Sequence, residues 1–136
     1  MPNSTNSNPY SAYRQTSVST ATPDKLLLML YDGAIRFLIQ ARVAMEQRNY
    51  EETNKWLQKL QDIFTELNIS LDMEQGEIAV NLRKLYEFYQ NEVLMANIEK
   101  SSERLKPVED FLRSFRETWA KAAKIVNQQT NGLGKR

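Results

Sequence analysis

The chain has 136 residues with 18 Lys and Arg against 17 Asp and Glu, a formal net charge of +1. That length suits one domain with a substantial core, and its charges are scattered without the basic block that nucleic-acid affinity requires. It contains no Cys and no His, so it has no disulfide and no thiolate chemistry, and it lacks the usual zinc ligand and the commonest general base.

Residues 1–20 are rich in Asn, Ser and Thr, with no apolar run of the kind a secretory signal carries. They are expected to form a flexible N-terminal arm. Tyr10 and Tyr13 are three apart and Val18 follows. They would let a short segment dock on an apolar groove, or they are incidental aromatics in a tail.

Thr22, Pro23 and Asp24 supply a cap, a first helical residue and a charge suited to a helix N-terminus. The spacing predicts a first helix over 23–47. One apolar stripe runs Leu27, Leu30, Ala34, Phe37, Ala41 and Ala44, and beside it lies a second of Tyr31, Ile35, Leu38 and Met45. So wide a surface implies a helix central in a bundle or shared with a partner. The longest unbroken apolar run, Leu26 to Tyr31, is far short of the roughly 20 residues of a membrane span. Gly33 within this helix costs about 1 kcal/mol relative to alanine, which either close packing against another helix or a gap left for a ligand would offset, the former being favoured. Asn49 reads both as the left-handed end of this helix and as the cap of the next.

A second helix is predicted over 51–71, with Leu57, Leu60, Phe64 and Leu67 on one face. The polar turn ending at Gly76 leads into a third over 77–97, with Ile78, Leu82, Leu85, Tyr89 and Val93 in register and Tyr86, Phe88 and Leu94 outside that stripe. Proline breaks helical bonding, so the regular part of a fourth helix is placed at 107–127, on the stripe Val108, Leu112, Phe115, Trp119, Ala122 and Val126. Residues 129–136 are expected to fray. The four helices and their short connections predict an all-α, antiparallel up-and-down four-helix bundle spanning about 21–128. The carboxylate pairs Glu51-Glu52 and Glu109-Asp110 sit on neighbouring positions that diverge around a helix, so no catalytic constellation arises, and no cofactor site is visible.

Together, Pro9-Tyr10, Tyr13, Ser17-Val18, Thr20-Ala21-Thr22-Pro23, the run Met29 to Ile35, Gly76-Glu77-Ile78-Ala79, Asn81-Leu82, Leu85-Tyr86, Ala96-Asn97 and Trp119 resemble the flagellar secretion chaperone family, FliS. The similarity extends from about Pro9 to Ala123. It departs from the family pattern at Gly76, where two glycines are common, and at Phe64, where an aliphatic residue is usual. The resemblance implies a cytoplasmic, non-enzymatic chaperone without cofactor or metal. Such a chaperone binds the C-terminal segment of flagellin, blocks premature polymerisation and presents its client to the cytoplasmic domain of the flagellar type III export gate. A segment that is disordered alone and apolar on one side when helical suits grooves between helices. Tyr31, Ile35, Leu38, Tyr86 and Leu94 are the expected client-facing residues, with Leu27, Leu30, Ala34, Phe37 and Ala41 assigned to the core. Through the resemblance, Tyr13, with Tyr10 and Val18, is expected to cover the groove in the client's absence and to dock on the export gate. No direct membrane insertion is expected, and a homodimer is left open. The alternative is a self-associating helical-bundle scaffold or signalling interaction domain.

Overall fold

A computed structural model describes residues 22–134, with side chains through 129. Four long helices account for most of it: α1 (Pro23–Glu46), α2 (Tyr50–Ile69), α3 (Glu77–Glu99) and α4 (Leu105–Gly134), with one 3₁₀ turn at Met73–Gln75 and no strand among the described residues. Contacts between Phe37 and Trp56, Phe64 and Tyr86, Tyr89 and Phe111, and Asp32 and Arg116 run in opposite chain directions from one helix to the next. The molecule is therefore an antiparallel up-and-down bundle with α1 and α3 on one diagonal. No helix among the described residues is long and apolar enough to cross a membrane.

Local chemistry sets each helix end. Thr22 Oγ1 accepts from the Lys25 N–H at 3.4 Å, and Pro23 occupies a first-turn position whose amide has no intrahelical partner in any case. Asn49 does not take the left-handed conformation that the sequence suggested. Arg48 takes it, at φ 58°, with the Asn49 N–H reaching the Ala44 carbonyl at 2.9 Å to close α1. That frees Asn49 to cap α2, its Oδ1 accepting from the Glu52 N–H at 3.2 Å. A single glycine suffices before α3: Asp72 caps the 3₁₀ turn, and Gly76 turns the chain at φ 71° and ψ −132°, a conformation favouring a residue without Cβ. Helix α4 begins at Leu105, ahead of Pro107, because the first-turn amide that proline lacks is not needed there. At its other end the backbone stays helical to Gly134, through the stretch expected to fray.

The core lies along α1. Leu30, Ala34 and Ala41 are buried, as the first stripe predicted, while Leu27 and Phe37 pack at the core's edge. Gly33 lets α2 close in: a Cβ there would lie 3.1 Å from Ile63 Cδ1. With Ala34, Ala41 and Ala44 on the same helix, small residues bring α1 and α2 together over their length.

Candidate functional site

The second apolar stripe of α1 faces inward as well. Tyr31 and Leu38 have no exposed surface, Met45 is buried, and Tyr86 on α3 is 1% exposed. Tyr31, Leu38 and Tyr86, expected to face the client, are therefore core residues in this structure. With α2 on one flank, α4 on the other and α3 across the diagonal, α1 has neighbours enough to bury both stripes. The Tyr31 and Tyr86 hydroxyls hydrogen-bond at 2.8 Å in the middle of the bundle. Burial first, then the neighbouring Tyr86, push the Tyr31 hydroxyl far above the ordinary tyrosine value, with Trp119 pulling the other way. Burial likewise raises Tyr86, opposed by its bond to Tyr31.

The remaining expected groove residues lie on different faces. Ile35 is half-buried beside Asp32, Arg36 and Arg116 in a furrow between α1 and α4. Leu94 is exposed on the opposite side, beside Asn54, Gln58 and Gln61 between α2 and α3. The structure does not bring these two together. Tyr10, Tyr13 and Val18 lie outside the described residues.

Part of the surplus apolar surface lies along the seam between α3 and α4, the most sparsely joined of the four neighbouring helix pairs. Bulky rings hold these helices apart. Tyr89 stacks on Phe111 at 4.2 Å, Phe111 contacts Phe115 at 4.5 Å, and Phe115 meets Trp119 edge-on at 6.4 Å. Near the start of α3 the seam opens to solvent. Ile78 is 67% exposed there and Val126 53%, although their spacing puts them in register with the core residues of their helices. Leu82, Leu85, Phe115 and Trp119 are half-buried between them, and Phe88, 57% exposed, lies edge-on to Tyr89 along the rim. Helix α4 supplies the overhang, because its last turns run beyond the start of α1 and α3. Exposed apolar side chains grouped in this way are the kind of surface that marks interaction sites. Sequence spacing had put Ile78, Phe115, Trp119 and Val126 in the stripes of their helices, and of the seam residues Phe88 alone fell outside.

The opposite flank of α4 is polar and ties it to α1. Glu109, 8% exposed at its side chain, accepts from Arg42 and from Arg113 Nε, the latter at 2.8 Å, and Arg116 Nε donates to Asp32 at 2.8 Å. Burial alone would raise the Glu109 carboxyl, but the bonds from Arg113 and Arg42 outweigh it and hold it below the ordinary range. A carboxyl depressed by folding stabilises the fold above its ordinary value, here 4.5, and that stability is lost as pH falls through the depressed folded value. Asp62, raised by burial and then by Glu66, acts in the opposite sense in the same acid range. Glu109→Gln is therefore expected to lower unfolding free energy at pH 7 by about 1–3 kcal/mol, the worth of hydrogen bonds to a charged group. Urea titrations should show a shallower decline in stability below pH 4.5 for the variant than for the parent. Parallel acid profiles would contradict the assigned role of Glu109.

Comparison with known proteins points to one family. The family model for the flagellar protein FliS matches residues 6–126. The chain is 36% identical over 127 residues to the flagellar secretion chaperone FliS of Bacillus subtilis, covering 93% of this chain and 95% of that protein. It is 38% identical over 113 residues to FliS of Vibrio cholerae, covering 79% and 83%, and 36% identical over 114 residues to FliS of Salmonella typhimurium, covering 79% and 84%. This chain of four antiparallel helices, matched over most of its length by such relatives, belongs to the FliS family of flagellar secretion chaperones.

Proposed function

We propose that this chain binds the C-terminal segment of flagellin in the seam between α3 and α4, keeps it from polymerising in the bacterial cytosol and delivers it to the cytoplasmic domain of the flagellar export gate. The observation that carries this reading is the exposure of Ile78 and Val126 at the open end of the seam, beside the half-buried Leu82, Leu85, Phe115 and Trp119. A client disordered on its own spends several kcal/mol in becoming ordered, so it needs a long apolar contact of this kind. Such a contact is also reversible, which export demands. The family membership supports the client class, and the seam supports the mode: an amphipathic helix laid between two helices. Tyr10, Tyr13 and Val18 are proposed, on the resemblance, to cover the seam when no client is bound and to meet the gate when one is. Residue 22 enters α1 at the same end of the bundle as Ile78 and Val126, where the seam is open.

Isothermal titration with a peptide from the flagellin C-terminus tests the reading. The parent chain is expected to bind at or below tens of micromolar, and Ile78→Asp combined with Val126→Asp to weaken binding at least 10-fold. No binding by the parent at tens of micromolar overturns the proposal. Sedimentation would then ask whether a second copy of the chain closes the seam, as in a self-associating scaffold.

A further inference from the structure

The furrow between α1 and α4 is lined by Asp32, Ile35, Arg36, Arg113, Arg116 and Glu117, a second concave surface on the flank of α4 away from the apolar seam. Its polar groups do not balance. Arg116 gives its Nε and Nη2 to Asp32, at 2.8 and 3.5 Å. Arg113 donates through Nε to Glu109. Arg36 is exposed on α1, its Nη2 lying 3.9 Å from where a Cβ on Gly33 would be. No ion pair holds it among the described residues. Glu117 turns to Lys121 one turn further along α4, at 3.4 Å. A guanidinium offers five N–H donors in a planar fork matched to a carboxylate, so three of them in one furrow leave several donors pointing to water.

We infer that this furrow is a docking site for an acidic helical segment of a partner protein, whose carboxylates are received by Arg36, Arg113 and Arg116. Charge complementarity selects the occupant. Arg113 and Arg116 are three residues apart on α4, one helical turn, so they meet carboxylates at the three- or four-residue spacing of another helix. Ile35, half-buried beneath them, supports the methylenes of glutamate side chains. Asp32, Glu109 and Glu117 are interspersed among the arginines and would repel the continuous charge of a polyanion such as nucleic acid, whereas a helix with discrete carboxylates avoids them. Because the furrow and the apolar seam lie on opposite flanks of α4, a partner here and a client in the seam can be held at once. This inference does not depend on the identity of the client.

The test is an NMR titration of the ¹⁵N-labelled full chain, following the arginine Nε–H signals. The probe is an alanine-rich helical peptide with glutamate at every fourth position. Parallel arms use the same peptide with glutamine for glutamate, an oligothymidylate of equal charge, and sodium sulfate. Saturable shifts of the Arg36, Arg113 and Arg116 signals are expected with the glutamate peptide, and at least 10-fold weaker binding with the glutamine peptide. The double variant R36Q/R113Q should lose at least 10-fold in affinity with its helical circular dichroism unchanged, and Lys55→Gln, on α2, should bind as the parent does. Equal binding of the glutamine peptide, or undiminished binding by the double variant, overturns the inference. So does oligothymidylate or sulfate matching the glutamate peptide, which would make the furrow a general anion patch.

Discussion

Leu38→Ala is expected to lower unfolding free energy by about 2–5 kcal/mol, the cost of emptying a leucine-sized space in a packed interior. Leu38 has no exposed surface and sits where α1 faces the rest of the bundle. Ile78→Asp, on a side chain 67% exposed, should change stability by less than about 1 kcal/mol while weakening client capture. Urea unfolding followed by circular dichroism gives the first quantity, and peptide titration of the folded variants gives the second. The two substitutions separate the core from the proposed docking surface, which periodicity alone had interchanged. A loss below about 1 kcal/mol for Leu38→Ala would return Leu38 to the surface.

Alkaline conditions should destabilise the bundle through its central hydroxyl pair. Tyr31 and Tyr86 are both raised above the ordinary tyrosine value of 10.0, so the folded state keeps their protons where the unfolded chain releases them. A group that holds its proton more tightly when folded contributes stability that is complete below the unfolded value and is lost as pH rises beyond it. Above pH 10 each tyrosine that stays protonated costs about 1.4 kcal/mol per pH unit, so the pair together removes close to 3. Absorbance at 295 nm should show the Tyr31 and Tyr86 hydroxyls still protonated above pH 10 until the helices melt. In Tyr31→Phe with Tyr86→Phe, the alkaline limb of stability should be shallower, at some loss of stability at pH 7 if the hydroxyl pair is net favourable. Smooth titration of all six tyrosines in the folded chain would contradict the buried pair.

The bundle itself was legible because helix formation and chain reversal are local. Apolar spacing of three and four residues marks the buried faces. Thr22, Asn49 and Asp72 mark helix starts within hydrogen-bonding reach of their own side chains. The left-handed residue after α1 was misplaced by one position, because Arg48 and Asn49 compete for neighbouring roles and the cap on α2 needs the asparagine. Pro107 delayed the expected start of α4 because proline in a first turn and proline in a helix interior look alike until the first residue of the helix is known.

The site was far less legible. Periodicity gives the angle of a side chain about its own helix but not how many neighbours stand around that helix. Tyr31 and Leu38 looked like spare surface until α2, α3 and α4 closed round α1. Ile78 and Val126 looked like core until the rings of Tyr89, Phe111 and Phe115 set α3 and α4 apart and α4 outran its neighbours. The ion pairs between α1 and α4 join residues 67 and 84 positions apart, beyond any local rule.

By itself, then, the sequence determined four amphipathic helices, their caps and their antiparallel order, because those depend on interactions within a few turns of chain. The tertiary structure alone decided which apolar stripe is buried and which seam stays open. That choice depends on inter-helix distance, which the bulk of side chains distant in sequence sets when they meet.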